Sequence, residues 1–396
     1  MENNIKVLCL FNGVSSFNES FFSIMKKFYK SNAINFREIF DQVGPINCQK
    51  EILSSITDFE PDIVILEIWP MSNIFDLYDF KKQLSDKTKL VLLSSDDTVF
   101  FDSFSKYISP YFDHVITTCL FCKNKFEELG VSSFFYFSSY DSSLFFRPKK
   151  IIKDIDVSFV GAVKKADRLS YIESLEKAGV NVQVFGKGSS NGFISKEKMV
   201  EIFQRSKICL NFTKIFIPRF IDDSFPLQKF LTQSKGRPSE IFLSGSFCLS
   251  EYSGDYISLF RDEFGDFLTF KNIDELKSII ERLLHNDLEL NSLSDRGYKI
   301  ASDISSENVI NEIISSICLS SKKSIVNSQP GIRESILRSN HYPALLVFSY
   351  IKWLFIALIH FDYKKILDYR NYLRCYSGVF ILKNLFKYIF IKYKSK

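Results

Sequence analysis

Short apolar runs alternate with helix-length segments through most of the chain, and this alternation constrains the fold more than any other feature. The runs in the first part are IKVLCLFNG, DIVILEIW, KLVLLSSDD, HVITTC and SSFFYFSSYD. Continuous apolar runs of this kind are typical of strands that are buried on both faces of a parallel sheet. The segment SSFNESFFSIMKKFY, after the first run, has apolar residues at helical spacing. The predicted fold class is therefore α/β, with a doubly wound parallel sheet.

A second series of the same kind begins after Arg147 and Pro148. Its strand-like runs are DIDVSFVGAV, NVQVFGKG, KICLNFT and DFLTF, and the segments between them, such as DRLSYIESLEKAG, have helical spacing. A chain of 396 residues is long enough for two domains and an appendage. We predict two tandem Rossmann-like domains, residues 1–148 and 149–322, followed by a tail of residues 323–396.

The stretch KGRPSEIFLSGSFCLSEY, residues 235–252, predicts a short helix, a break at Gly245 and a strand. In an open α/β sheet, ligands bind beyond the carboxyl ends of the strands, where helix N-termini offer free N–H groups. Lys235 and Arg237, just ahead of the helix, would bind a diphosphate there. Glu240, one turn in, would accept hydrogen bonds from two vicinal ribose hydroxyls, and Gly245 would let the backbone approach a ligand. A solvated surface helix with a glycine C-cap explains the same spacing equally well.

The segments KGRPSEIFLSGSFCLSEYSGDYISLF and FGDFLTFKNIDELKSIIERLLHNDLELNSLSDRGYKIA resemble the C-terminal domain of GT-B glycosyltransferases, specifically the CgeB-like family related to families 1 and 4. The matching positions are Lys235, Arg237, Glu240, Gly245, Ser250, Glu251, Asp274, Glu275, Leu276 and Gly297. The resemblance implies a GT-B fold, in which two Rossmann-like domains face a cleft. It also implies a nucleotide-sugar donor, UDP-linked or similar, that binds to the second domain.

The same resemblance implies roles for individual residues. Glu240 would hold the nucleotide ribose, and Arg237 would hold the diphosphate with help from Lys235. Further donor-binding positions are implied at Gly161, Arg168, Lys187 in the turn after VFG, Asn211 and Gly245. GT-B enzymes need no bound metal to break the sugar–nucleotide bond, so cationic side chains stabilise the leaving diphosphate. We therefore expect neither a metal site nor a cofactor.

Candidate acceptor-side acids follow two strand-like runs of the first domain. The run LLSSDD ends in Asp96 and Asp97, and Asp141 follows YFSSY. A carboxylate at such a position would orient or deprotonate an acceptor hydroxyl. A helix N-cap or a loop acid explains each of the three as well.

The tail concentrates positive charge and apolar residues. Residues 331–396 carry 12 Lys and Arg against 3 Asp and Glu, a net charge of +9 in a chain whose net charge is +5. The apolar run at 343–361 has Lys352 at its centre, which favours a helix in a membrane interface over one that spans the bilayer. A helical hairpin packed against the protein explains the same pattern. Bulky aliphatic residues interleave with the charges, so we expect an anionic membrane surface as the partner of 331–396 and no nucleic acid.

These features predict a glycosyltransferase that transfers a sugar from a nucleotide-sugar donor to a glycan or lipid-linked acceptor in surface polysaccharide or glycoconjugate assembly. The chain opens without an apolar secretory segment, and its eight cysteines lie mostly in apolar runs. We therefore expect a cytoplasmic protein, peripheral on the inner face of the membrane. Two alternatives stay open. One is a nucleotide-sugar epimerase of the same fold, and the other is a non-catalytic membrane scaffold.

Overall fold

The computed structural model describes residues 4–69, 77–137, 140, 143–164, 167–215, 231–234, 236–260, 268–321, 351–352, 354–363, 366, 382 and 386, with backbone alone at 44–46 and 103. The chain divides into two compact units. The first unit comprises Met1–Phe135, Ile217–Pro226 and Ile313–Lys396, and the second comprises Tyr136–Phe216 and Leu227–Glu312.

The first unit contains a six-stranded parallel sheet with the strand order β2-β1-β3-β4-β5-β6. Its strands are β1 Lys6–Phe11, β2 Lys30–Asn35, β3 Ile63–Glu67, β4 Lys89–Ser94, β5 His114–Thr117 and β6 Ser132–Phe135. Its helices are α1 Ser16–Phe28, α2 Phe36–Phe59, α3 Leu77–Lys82, α4 Asp97–Phe100, α5 Lys106–Ile108 and α6 Leu120–Glu128. Because all pairs are parallel, the carboxyl ends of these strands share one edge of the sheet.

The strand β2 is the one element of this sheet that the apolar runs did not predict. Its sequence, KSNAIN, is largely polar. It pairs with β1, at the edge of the sheet. A strand at the edge need not be buried on both faces, so a largely polar sequence can form it. By contrast, β3 and β4 are buried at every position, which explains why their sequences read as continuous apolar runs.

The second unit contains a five-stranded parallel sheet with the order β11-β10-β9-β7-β8. Its strands are β7 Ile155–Val160, β8 Val182–Phe185, β9 Ser206–Asn211, β10 Phe247–Glu251 and β11 Thr269–Phe270. Its helices are α7 Arg168–Lys177, α8 Lys196–Arg205, α9 Arg237–Leu243, α10 Gly254–Phe260, α11 Ile273–Leu284, α12 Asp287–Asp303 and the start of α13 Ser306–Leu319. The predicted α/β class with two Rossmann-like sheets is confirmed.

The division into units differs from the boundaries at residues 148 and 322 that the sequence suggests. Tyr140 and Phe145 belong to the core of the second unit, where the Tyr140 hydroxyl donates to the carbonyl oxygen of Ala301 at 3.2 Å. The second unit therefore begins upstream of the first residue of β7. At the other end, α13 starts in the second unit and ends in the first, where Lys89 donates to the carbonyl oxygens of Ile317 and Cys318 at its last turn.

Part of the tail packs onto the core of the first unit. Ala357 is only 3% exposed, and Leu354 and Ile366 pack against the same cluster. This segment of the tail therefore contributes to the core of the first unit. Other tail residues present large apolar side chains to solvent, with Phe355 at 63% and Phe361 at 77% exposed. Within the described part of the chain, no helix is both long and apolar enough to cross a membrane.

Candidate functional site

Several charged side chains lie where β7, β9 and β10 end, and we call this set the cationic edge: Arg168, Lys214, Arg237, Glu240 and Glu251. Arg168 is the first residue of the helix that follows β7, and Arg237 is the first residue of the helix that precedes β10. The charges of Glu251 and Arg237 both act on Arg168, with opposite effects on its pKa. Residues separated by up to 83 positions in the sequence are therefore within electrostatic reach of one another.

Arg237 and Glu240 form an ion pair. The distance from Arg237 Nη1 to Glu240 Oε2 is 2.5 Å, and the side chains are 29% and 17% exposed. Helix α8 supplies the packing surface for the guanidinium, since Arg237 Nη1 lies 2.8 Å from Met199 Sδ and its Cζ lies 5.5 Å from the centroid of Phe203. The helix begins at Arg237 itself, not after it as the sequence suggested, so the i,i+3 spacing puts both charges on one face. Lys235 lies outside the described residues.

Arg168 has a donor group without a partner. Its Nη1 donates to the carbonyl oxygen of Ala162 at 3.1 Å, and its Cζ lies 5.8 Å from the ring centroid of Phe159. Its Nε–H is buried and finds no acceptor among the residues that the structure describes. Burial lowers the pKa of Arg168, and the charge of Glu251 opposes that shift. An anion placed at Arg168 would both satisfy the donor and stabilise the charge.

Glu251 anchors this edge, although the sequence reasoning gave it no role. It is the last residue of β10 and is buried, and its Oε2 accepts the backbone N–H groups of Thr213 and Lys214, each at 2.9 Å. Lys214 Nζ lies 3.6 Å from Glu251 Oε1 and 2.7 Å from Asp167 Oδ2. A carboxylate that ends a buried strand was the available signal for Glu251. Lys214 had no comparable signal, because it follows a strand with no recognised motif.

The loops after β7 and β8 touch through their glycines. The Gly161 N–H donates to the carbonyl oxygen of Phe185 at 2.8 Å, and the Val163 N–H donates to that of Lys187 at 3.0 Å. Gly186 has a φ of +114°, and a Cβ there would overlap the carbonyl oxygen of Gly161. Glycine is therefore required at position 186 for both conformation and close approach. The side chain of Lys187 is exposed beside this pair of loops.

Two predicted donor residues are used elsewhere in the second unit. Asn211 is buried, and its Nδ2 donates to Ser250 Oγ at 2.8 Å and to the Tyr256 hydroxyl at 3.0 Å, so its amide ties β9 to β10. Gly245 precedes β10 and therefore lies at the amino edge of the sheet, where its carbonyl oxygen accepts from Lys153 Nζ at 2.8 Å. With a φ of +86°, Gly245 makes the predicted turn. Its place at the amino edge of the sheet contradicts the expectation that its backbone approaches a donor bound at the carboxyl edge.

Asp97, one of the predicted acceptor-side acids, is sealed inside the first unit. It is 1% exposed, and its two oxygens accept from Ser94 Oγ and Thr117 Oγ1, each at 2.5 Å. Burial raises the pKa of Asp97. Asp96 is half-buried and occupies the N-cap position of α4, although its side chain makes no cap hydrogen bond. Asp141 lies outside the described residues.

A second carboxylate at the same edge escaped the sequence reasoning. Glu67 ends β3, is 5% exposed, and accepts from the Asn12 N–H at 3.1 Å, Asn18 Nδ2 at 2.9 Å and Trp69 Nε1 at 3.1 Å. Burial raises the pKa of Glu67, and the charge of Asp96 raises it further. Its position at the end of the run DIVILE was the signal, but its partners Asn12 and Asn18 lie 55 and 49 positions away in the sequence. In the described ranges, no cluster of three or more His, Cys, Asp or Glu is arranged to hold a metal ion.

Comparison with known proteins follows this geometry. Residues 168–315 match the family described as glycosyl transferase-like, Glyco_trans_1_2. This range begins at Arg168 and contains the rest of the cationic edge. None of the curated proteins matches the chain in sequence.

Solved structures resemble the chain over most of its length. A glycosyltransferase from Rickettsia africae ESF-5 has 12% sequence identity and a TM-score of 0.55, and the match covers 83% of this chain and all of that one. The E. coli protein described as trehalose-6-phosphate and bound with UDP-2-fluoro glucose has 8% identity and a TM-score of 0.55, with coverage of 80% and 100%. At these identities the likeness concerns the fold, which is GT-B.

Proposed function

We propose that this chain, which has the GT-B fold and matches a glycosyl transferase-like family over residues 168–315, transfers a sugar from a nucleotide-sugar donor, UDP-linked or similar, to a glycan or lipid-linked acceptor. The observation that carries the donor part is the cationic edge of the second unit. Arg168 and Arg237 place two guanidinium groups where β7 ends and α9 begins, and the carboxylate of Glu240 lies 2.5 Å from Arg237. Guanidinium groups match the geometry of phosphate oxygens, and a carboxylate matches vicinal hydroxyls.

The charges of this edge define what each residue does in the transfer. As the bond from the sugar to the diphosphate breaks, negative charge grows on the diphosphate, and Arg237 and Arg168 stabilise it. Glu240, freed from its ion pair with Arg237, accepts the hydrogen bonds of the ribose hydroxyls. Because these side chains supply the positive charge, we propose a transfer that needs no metal ion.

Calorimetry with UDP, GDP and ADP, followed by assays with the matching nucleotide sugars, tests this proposal. We expect one diphosphate to bind with a micromolar to sub-millimolar Kd, and its sugar form to turn over only when a glycan or lipid-linked acceptor is added. Conversion of the nucleotide sugar in the absence of any acceptor would establish the epimerase instead. If none of the three nucleotides binds at millimolar concentration, the non-catalytic membrane scaffold is the remaining alternative.

We further propose that the acceptor is presented at the inner face of a membrane, in the assembly of surface polysaccharide or another glycoconjugate. The tail supports this because residues 331–396 carry a net charge of +9 and expose Phe355, Phe361 and Phe386. Basic residues near an acidic surface contribute up to about 1 kcal/mol each, and salt screens this contribution. Exposed aromatic side chains add binding that salt does not remove.

Sedimentation with anionic vesicles measures the tail contribution. The variant of choice ends at residue 366, because Leu354, Ala357 and Ile366 pack on the first unit and must be kept. We expect the full chain to sediment at low salt and less at high salt, and the shortened chain to sediment less under both conditions while it still binds the nucleotide. A full chain that stays in the supernatant at low salt would point to a soluble acceptor.

A further inference from the structure

We propose that Asn12, Gly13, Asn18, Glu67 and Trp69 form a site that binds a hydroxyl of the acceptor, with Glu67 as the proton acceptor. We call this set the Glu67 site. It lies entirely within the first unit, whereas the cationic edge lies in the second. The proposal rests on the proposed function, since a hydroxyl acceptor is needed only if the chain transfers a sugar.

The carboxylate of Glu67 is held as an acceptor by N–H groups that cannot reverse. Its Oε2 accepts from the Asn12 backbone and from Asn18 Nδ2, and its Oε1 accepts from Trp69 Nε1 alone among the hydrogen bonds of the described residues. A carboxylate oxygen has two lone pairs, so Oε2 is filled and Oε1 can take one more donor. The free direction therefore belongs to Oε1, beside the indole.

Two amide oxygens next to this carboxylate lack donors. Asn18 Nδ2 is fixed by the carbonyl oxygen of Gly13 at 3.1 Å and by Glu67, so its Oδ1 points away from both. That Oδ1 and the Oδ1 of Asn12 are both buried and have no hydrogen-bond partner in the described part of the chain. A buried acceptor without a donor costs about 1–3 kcal/mol.

These acceptors select the class of ligand. Three groups that only accept, two of them orphaned, attract a molecule that donates hydrogen bonds, directly or through an ordered water. An anion is disfavoured because Glu67 and the nearby Asp96 are both acidic. A metal ion is disfavoured because two N–H groups occupy Glu67 Oε2. A sugar or polyol hydroxyl fits this chemistry.

There is room for such a ligand beside the loop after β1. Gly13 has a φ of +130°, and a Cβ built on it would meet no atom within 4 Å. Asn12 and Trp69 are half-buried, so both residues are partly accessible to solvent. Aromatic rings next to a few fixed polar groups are a common way to bind small ligands.

Asp97 lacks each of these features, although it lies at the same edge of the sheet. Both of its oxygens accept from hydroxyl groups at 2.5 Å.

In the proposed step, the proton of the acceptor hydroxyl passes to Glu67 Oε1, and the oxygen of that hydroxyl forms the new bond to C1 of the donor sugar. The bond from C1 to the diphosphate oxygen breaks, and its electron pair leaves with the diphosphate.

Tryptophan fluorescence provides a direct test, because the chain has only Trp69 and Trp353. In the full chain with Trp353→Phe, Trp69 is the sole tryptophan. Methyl β-D-glucopyranoside, methyl β-D-galactopyranoside and methyl N-acetyl-β-D-glucosaminide serve as probes, titrated without nucleotide. We expect at least one of them to change the Trp69 emission in a saturable way, with an affinity that rises with pH as Glu67 ionises.

Two variants decide what the signal means. Asn12→Ala keeps the backbone N–H that holds Glu67, and it should weaken binding of the glycoside about tenfold. Glu67→Gln should weaken it at least as much, abolish the pH dependence, and reduce turnover about 10²-fold or more with the donor KM unchanged. Asp97→Asn is the matched control and should leave the affinity unchanged.

The outcomes separate this proposal from the proposed function. The Glu67 site is overturned if none of the three glycosides changes the Trp69 emission, or if the change is equal in the parent, Asn12→Ala and Glu67→Gln. UDP binding to the second unit would be unaffected by that outcome. Failure of UDP, GDP and ADP alike to bind the parent overturns the donor function instead. If Glu67→Gln does not fold, the glycoside affinity of Asn12→Ala decides the question alone.

Discussion

The carboxyl edges of the two sheets share a geometry and differ in chemistry. At the cationic edge, Arg168 carries a buried N–H that has no acceptor among the described residues, and Arg237 forms an ion pair with Glu240. At the Glu67 site, Asn12 and Asn18 carry buried oxygens that have no donor in the same part of the chain. One edge therefore lacks acceptors and the other lacks donors. This contrast supports our proposals that the same parallel-sheet architecture binds an anion in one unit and a hydroxyl in the other.

Among the variants that test this comparison, Arg237→Ala should have the largest effect, because it removes a guanidinium from the cationic edge. Charge on the diphosphate grows in the transition state, so we expect turnover to fall about 10²-fold or more, and UDP affinity to fall by a smaller factor. Steady-state kinetics and calorimetry measure the two separately. The control is Arg205→Ala, an arginine that ends α8 and pairs with Asp154 and Glu201 at the surface. We expect little change in the control, and equal losses of turnover and affinity in Arg237→Ala would contradict a role in the transition state.

Glu240→Ala should have the next largest effect, about tenfold on the Kd for UDP. A hydrogen bond between a carboxylate and a ligand hydroxyl is worth about 1.5–3 kcal/mol, and ribose contacts act equally in ground and transition states. A double-mutant cycle with 2′-deoxy-UDP sharpens the test. The parent should discriminate between UDP and 2′-deoxy-UDP, and Glu240→Ala should not. Equal discrimination by both would assign Glu240 to its ion pair with Arg237 alone.

Sequence pattern was sufficient where the fold depends on local composition. The buried strands β3 and β4 are recognisable in the sequence as apolar runs. Arg237 and Glu240 lie three residues apart, so helix geometry alone predicts that the two side chains share one face of α9. The edge strand β2 was not predicted, because its sequence is largely polar and none of its residues is fully buried, unlike those of a central strand.

The Glu67 site could not be predicted because its parts are distant in sequence. Glu67 lies 55 residues from Asn12 and 49 from Asn18, and only the pairing of β1 with β3 brings them together. Asn211 has contacts that the sequence could not predict either. It ends a strand at the expected edge, but its amide is consumed by Ser250 and Tyr256, a contact that no spacing reveals.

Gly245→Ala tests whether position 245 is remote from the donor, and its effect should fall on stability alone. The φ of +86° strains any L-residue, and a Cβ would lie 2.7 Å from Cγ of Arg147. We expect a loss of about 1–2 kcal/mol in the free energy of unfolding and an unchanged Kd for UDP. Gly179→Ala is the matched control, because its φ is +85° and a Cβ there meets nothing within 4 Å. Weaker UDP binding in Gly245→Ala alone would return this glycine to the donor site.

Asp97→Asn should have the smallest effect, and it separates the two buried carboxylates of the first unit. Burial raises the pKa of Asp97 in the folded state above its ordinary value of 3.8. The folded state therefore holds the proton more tightly, and the free energy of unfolding falls as pH rises from 3.8 through the raised value.

Urea unfolding at a series of pH values should show that part of this slope disappears in Asp97→Asn. The fold should tolerate the amide, because the hydroxyls of Ser94 and Thr117 can rotate either to donate or to accept. The N–H partners of Glu67 have no such freedom, so Glu67→Gln should lose stability at neutral pH. Asp97→Asn should also keep the glycoside affinity of the first unit. A drop in that affinity would transfer the acceptor role from Glu67 to Asp97, and it would show that the buried carboxylate of Asp97 becomes accessible to the glycoside.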